Sequence, residues 1–433
     1  MTPTQSSETV TAVHVAKDLV DRGHRAAFVA SPGARRQIPL CFLEHLFELT
    51  GDVEGNLSVW KRALETFAPH IVLFADYPIL VSSRSSSPLG CHREWHTSLQ
   101  GLQACLVTFD HLGLGQCQEE LTVGPRHLCP QKVTFPTVPD GMRIMLPCPM
   151  QHPGSLEGRR GDPFRYWSVP LGLPDDLRQK VRRTYLGSDG DLLILHSVPA
   201  WAWKTAEALK LPLYRFLPEI FSYYFEGISK PVTLVSVNNG SLLAQPSGGS
   251  FRIINRPPLP IAEFEKLLFS ADLILTENKP SFTIGMAVCA LRPCAVLKNS
   301  FEFSELSDRM PPRLRDCVAA MEQERSGAVF PFEIFPTDMT RQLDKLWLYR
   351  ANALVGAFEE LEIFGGEQTT EQLARLLEDR ETQETLRARQ QAYVEMLQQT
   401  DEATDLLERY LSEWESGSPP DASRFEPSAR SRK

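Results

Sequence analysis

The residues best placed to do chemistry in this sequence stand directly after short apolar runs. Asp76 follows His70 to Ala75 (HIVLFA), and Asp110 and His111 follow Leu102 to Phe109. In an open α/β sheet the loops at the carboxyl ends of parallel strands face the ligand crevice. A carboxylate or imidazole held there can take a proton from a substrate hydroxyl. His14, one turn into the first helical stretch, is a further residue of the right type. Asp76 has a second reading, because Asp-Tyr-Pro also makes an ordinary helix cap or turn.

A second group has the chemistry of ligand binding. Ser281 and Thr283 lie in and just after the loop Thr276 to Phe282, where an apolar run passes into a helical stretch. The unpaired N–H groups and the dipole of a helix start suit a phosphate, and Pro280 suits the start of a helix. Ser281 alone could equally be a structural cap. The same loop carries Glu277, Asn278 and Lys279. Ser197 with His196 follows Asp191 to His196 (DLLILH), and Asn238, Asn239 and Gly240 follow Pro231 to Val237 (PVTLVSV). Asn-Gly is also a common tight turn.

The elements that must carry these residues alternate. Val10, Val13, Ala16, Leu19 and Val20 recur at helical spacing, and Gly23 ends that helix. Ala26 to Ala30 is a buried strand, Leu57 to Phe67 a helix, and His70 to Ala75 and Leu102 to Phe109 are strands. From Gly113 to Tyr185 the pattern is broken by proline, glycine and arginine, as expected of late elements of a first domain and a connection. A second series then begins: strands over Asp191–His196, Pro231–Val237, Phe251–Ile254, Leu273–Leu275, Ala295–Leu297 and Phe332–Phe335. Helices are expected over Ala200–Leu209, Phe216–Phe225, Ile261–Phe269 and Phe282–Ala290. Parallel βαβ units are the expected architecture. The expected organisation is a Rossmann-like domain over residues 1–180, a second over 186–345, a helical segment over 346–414 and a disordered tail over 415–433. No strand is legible ahead of the first helix. The pattern thus either departs from a usual doubly wound domain or implies a start upstream of Met1.

Composition removes several classes. The 433 residues suffice for two cores, and 42% hydrophobic with 23% charged residues is ordinary for globular proteins. A net charge of −9 argues against nucleic acid as a partner. No apolar run is long enough for a membrane span, and the polar N-terminus lacks a signal-peptide core. A cytoplasmic protein is expected. The nine cysteines lack framework spacing. Cys91, His92, His96, Cys105, His111, Cys117, His127 and Cys129 cluster, but none of their spacings matches a finger or ribbon, so no metal is expected. The aromatic residues from Trp201 to Phe225 are expected in a core, and the charged run Glu378 to Arg389 on a solvated helix face.

Three stretches together carry a resemblance. Arg22-Gly23-His24 with Ala26-Ala27-Phe28-Val29 is similar to the R-G-H opening of GT-B glycosyltransferases. HIVLFADY resembles their "PDLVVxDxx" strand. EKLLFSADLILTENKPSFTIGMAVCALRPCAVLK, from Glu265 to Lys298, resembles their donor-side helix–strand–loop–helix–strand block. The resemblance implies two Rossmann-like domains facing a cleft, a nucleoside-diphosphate sugar as donor and co-substrate with no other cofactor, and a small-molecule or lipid-like acceptor. It makes Asp76 the first choice of base, ahead of Asp110, His111 and His14. It places Ser197, Asn238, Asn239, Glu277, Asn278, Ser281 and Thr283 around the donor. Two departures stand out. The loop holds Glu277-Asn278-Lys279-Pro280 where the family often has glycines, and Met286 falls where a ribose-binding glutamate is common. Lys279 would offset the charge of Glu277. A non-catalytic binding or partner protein and a nucleotide-sugar epimerase are the alternative expectations. Sequence alone leaves the oligomeric state open.

Overall fold

The second half of the chain forms one parallel sheet in the computed structural model, which describes residues 7–81, 99, 102–116, 120–123, 131–154, 158–238, 251–306, 310–332 and 352–417. The chain opens with α1 (Ser7–Asp21), followed by β1 (Phe28–Ala30), β2 (Leu46–Glu48), α2 (Val53–Phe67), β3 (Ile71–Phe74) and β4 (Cys105–Phe109). A hairpin, β5 (Leu121–Val123) and β6 (Gln131–Val133), precedes β7 (Arg143–Cys148) and β8 (Asp162–Arg165). After α3 (Asp175–Tyr185) come β9 (Leu192–Ser197), α4 (Ala200–Ala208), α5 (Leu213–Phe225), β10 (Val232–Val237) and β11 (Phe251–Arg256). Next are α6 (Ile261–Ser270), β12 (Leu273–Thr276), α7 (Phe282–Cys289), β13 (Cys294–Lys298) and α8 (Pro312–Glu324). The chain closes with β14 (Glu359–Glu362), α9 (Glu367–Glu378), α10 (Arg380–Gln398) and α11 (Ala403–Ser416).

The second sheet has the order β11-β10-β9-β12-β13-β14, and every pairing is parallel. Counted from β9, that is 3-2-1-4-5-6, the doubly wound order whose direction reverses between its first and fourth strands. The inner strands β9, β10 and β12 are short runs buried on both faces, as helices on each side require. The first sheet is β3-β4-β7-β8, also parallel. The parallel pair β1-β2 stands apart from it in hydrogen bonding. Val29 and Val72 nonetheless share one hydrophobic layer, while Ala30 and Ala75 share another with Val13, Val15 and Ala16 of α1.

The two sheets are joined by one continuous core. It runs from Val107, Phe109 and Met145 of the first sheet through Ile284 and Val288 of α7 to Leu193 and Val235 of the second. Phe282 stacks on Tyr166 at 5.9 Å between ring centres. Tyr393 of α10 donates to the Pro149 carbonyl at 3.1 Å. A β-carbon added at Gly285 would stand 2.6 Å from Pro149, so only glycine lets α7 approach the first domain this closely.

Several expectations change. Residues 359–362, read as part of a helical segment, form an edge strand of the second sheet. The Phe332–Phe335 strand is represented by a single bridge between Phe332 and Asn299, and residues 333–335 lie outside the described ones. Arg22 and His24 of the R-G-H stretch bind the last helix. Arg22 donates to Asp405 at 2.6 Å and to Glu402 at 2.9 Å, and His24 pairs with Glu408 at 3.0 Å. Most of the cysteine and histidine cluster, and the tail from residue 418, lie outside the described residues. Among those described, no helix is long and apolar enough to cross a membrane.

Candidate functional site

A buried polar network crosses the carboxyl ends of four strands of the second sheet. β9 ends in His196 and Ser197, and parallel pairing sets His196 beside Ser236 of β10 and Leu275 of β12. The His196 ring hydrogen-bonds on both sides, with Ser236 Oγ at 3.0 Å through Nδ1 and with Glu277 Oε1 at 2.7 Å through Nε2. Asn238 donates to Ser236 Oγ at 3.4 Å and to Asn255 Oδ1 at 3.2 Å. His196 and Ser236 are wholly buried, and Glu277 is 1% exposed. The His196–Glu277 contact bridges the first and fourth strands of the doubly wound order, which is where such sheets open a crevice.

The start of α7 completes this side. Ser281 caps the helix, its Oγ accepting from Thr283 N at 3.1 Å, and Thr283 Oγ1 donates to Ser197 Oγ at 3.3 Å. Pro280 lies before the cap, outside the helix where sequence placed it. Lys279, expected to offset Glu277, has a carboxylate partner on β14. Its ammonium pairs with Glu360 Oε1 at 2.6 Å, and Lys298 holds the other oxygen at 2.7 Å. Burial works against ionisation of Glu360, but the hydrogen bonds from these two lysines hold it below the usual carboxylate range. Glu277 Oε2 and Asn278 Oδ1 are enclosed without a hydrogen-bond donor. Met286 is fully buried in the core. Ser197, Ser281 and Thr283 therefore meet at one helix start, Glu277 and Asn278 lie in the loop before it, Asn238 joins only through Ser236 and His196, and Asn239 lies outside the described residues.

A second buried cluster occupies the strand ends of the first sheet. Asp76 caps the short turn Tyr77–Leu80, with Oδ1 accepting from Ile79 N at 3.1 Å. Its other oxygen lies 3.9 Å from His111 Nδ1. Asp110 accepts from Gly115 N and Gln116 Nε2, each at 3.4 Å. His111 Nε2 meets Thr11 Oγ1 of α1 at 3.1 Å, and Gln151 donates to the His111 carbonyl at 2.6 Å. Asp76, Asp110 and His111 thus come together as sequence expected. His14 points elsewhere, toward Glu265 of α6 at 3.3 Å, between Tyr166 and Trp167.

Burial governs protonation in this cluster. It pushes Asp76 well above the ordinary carboxylate range, and the carboxylates of Asp110 and Glu8 add to the effect. Burial also raises Asp110 to about 6, against hydrogen bonds from Gly115 and Gln116. The same desolvation lowers His111 to about 4. At neutral pH the cluster holds a neutral imidazole beside a carboxyl group whose proton affinity burial raises, a pair of the type that can take a proton from a hydroxyl. A cavity of about 410 Å³ lies instead at the amino ends of β4, β7 and β8, lined by Cys105, Ile144, Asp162, Tyr410 and Trp414. It belongs to the opposite end of the first sheet from this cluster.

Sequence reading missed Ser236 and the pairing of His196 with Glu277. Ser236 sits inside an apolar run with no local signal, and the pair is separated by 81 positions. Only the strand order brings these groups together.

A doubly wound parallel sheet packed against a second set of parallel strands, both with buried polar strand ends, defines an α/β protein of two Rossmann-like halves. The chain belongs to the family described as a family of unknown function (DUF6365), which it matches over residues 15–415. No curated protein matches it. Among solved structures it is similar to MurG of Acinetobacter baumannii, at 12% identity and a TM-score of 0.42, covering 95% of this chain and 98% of that one. It is also similar to spinosyn rhamnosyltransferase SpnG complexed with thymidine diphosphate (13%, TM-score 0.48, 94% and 98% covered). A third is a putative UDP-N-acetylglucosamine 2-epimerase from Listeria monocytogenes (11%, TM-score 0.43, 97% of each chain).

Two outcomes follow from this geometry. Replacing His196 by Leu should destabilise the fold by about 3–5 kcal/mol in urea melts, because it strands the Glu277 carboxylate. The double variant His196→Leu/Glu277→Leu should recover much of that loss, and equal losses in both would contradict a pairing role. The second concerns pH. A histidine whose folded pKa is lowered from 6.5 to about 4 favours the folded state above 6.5 and loses that contribution as pH falls toward 4. The stability gap between wild type and His111→Gln should therefore shift by about 2 kcal/mol in the variant's favour from pH 7 to pH 5. A gap independent of pH would mean that His111 is not held neutral.

Proposed function

We propose that the protein is a glycosyltransferase that takes a sugar from a nucleoside-diphosphate sugar, acting in the cytoplasm on a small or lipid-like acceptor. The observation that carries this is the concentration of buried polar groups at the switch point of a 3-2-1-4-5-6 sheet, around the capped start of α7. A helix start at a strand end can hold a diphosphate through backbone N–H groups and the helix dipole. Ser281, Thr283 and Ser197 would bind its oxygens, and Asn238 and Asn278 would face the nucleoside or sugar. On this reading the acceptor hydroxyl oxygen attacks the anomeric carbon. Its proton passes to the carboxylate of Asp76, with the imidazole of His111 beside it, and the nucleoside diphosphate leaves with the bonding electron pair. Burial raises Asp76 and lowers His111, which makes the carboxylate the stronger base of the two.

A second reading is favoured by one observation. Glu277 sets a carboxylate beside the helix start where a diphosphate would bind, and Lys279 pairs with Glu360. A chain that keeps the architecture and serves as a non-catalytic partner would account for this. A nucleotide-sugar epimerase on the same plan would bind the donor and need no acceptor.

Thermal melts with UDP, GDP, dTDP and their sugars separate these readings. The transferase predicts that one nucleotide raises the melting temperature by several degrees, and that Ser281→Ala or Thr283→Ala cuts the shift measured from each variant's own unliganded value. No shift with any nucleotide would favour the non-catalytic partner.

A further inference from the structure

Far from the strand-end site, Arg292 lies among three further arginines and one carboxylate. Arg178 and Arg182 stand one turn apart on α3, Arg292 lies in the turn between α7 and β13, and Arg387 is on α10. The carboxylate is Asp272, just ahead of β12. Arg182 Nη1 donates to its two oxygens at 2.8 and 2.7 Å, and Leu193 N donates to Oδ2 at 2.9 Å. Arg182 spends further donors on the Ser270 and Asp191 carbonyls at 3.1 and 2.9 Å. Arg178 reaches Asp272 only at 3.9 Å.

The charged groups that bear most on Arg292 are three arginines, Arg178, Arg387 and Arg182, and one acid, Asp272. Burial first, and then these arginines, lower Arg292 to about 10, so it stays charged at neutral pH. Arg178 Nε and Arg292 Nε are both enclosed with no acceptor. Buried donors normally find a partner, and guanidinium groups crowded around one acid repel one another.

We propose that this cluster is a binding site for a small phosphate-bearing anion. Phosphate oxygens would accept from the guanidinium groups in the forked geometry that arginine offers, and would add negative charge among them. The site is separate from the strand-end network. Asp191, Asp272 and Arg292 precede β9, β12 and β13, so they stand at the amino ends of the strands. Arg182 and Arg178 are only 16% and 29% exposed, which suits a small ion entering a recess better than a flat charged surface. Arg387 is exposed at its edge.

Thermal melts of the full chain in sodium pyrophosphate, against sodium chloride at matched ionic strength, test this. Pyrophosphate at millimolar concentration should raise the melting temperature by about 2 °C or more and saturate. Arg387→Gln, an exposed substitution, should melt at or above wild type in low salt, because it relieves repulsion. It should also lose at least half of the pyrophosphate shift, and Arg292→Gln should lose it likewise. A wild-type shift no larger than that given by chloride, or a full shift retained in both variants, would overturn the proposal.

Discussion

The hydrogen bond between His196 and Glu277 is the constraint around which the second domain is arranged. It ties the end of β9 to the residue after β12, the two strands between which the winding of the sheet reverses. Both groups are out of water, so neither is stable there without the other. Ser236 and, through it, Asn238 extend the same network to the next strand. The loop that follows Glu277 is thereby fixed in direction, and α7 starts where Ser281 can cap it and Thr283 can reach Ser197.

That fixed helix also sets the relation between the domains. α7 is almost entirely buried, with Gly285 against Pro149 and Phe282 against Tyr166. Tyr166 and Trp167 in turn flank His14 of α1, whose first turn supplies Thr11 to His111. One chain of packed groups therefore runs from the second domain's strand ends to the acid–imidazole cluster of the first. A ligand seated at the start of α7 would bear on both clusters, because the elements carrying them are in contact.

Much of this was legible in the sequence, and the failures have physical causes. DLLILH, PVTLVSV and ADLIL read as strands because both faces are buried, which leaves a short unbroken apolar run. EELE did not, because β14 is an edge strand whose charged side chains reach solvent or the lysines of its neighbours. Missing β14 hid a partner of Lys279, since Glu360 lies within that strand. β7 was hidden among prolines. Pro147 lies in it beyond Met145, the last residue paired with β4, so its missing N–H breaks no bond of that ladder. The side chains of the R-G-H stretch hold α11, a contact across some 380 positions that no local pattern reveals. The polar residues at strand ends are conspicuous in the sequence, whereas Ser236 inside its apolar run is not.

Hydrogen–deuterium exchange with and without nucleoside-diphosphate sugars tests the central claim most directly. If the start of α7 and the ends of β9 and β10 hold the donor, a bound nucleotide should slow exchange in residues 276–285, 196–199 and 236–238 and leave α2 and α9 unchanged. Binding that protects other segments and spares these would contradict the claim that the donor sits at the switch point of the second sheet.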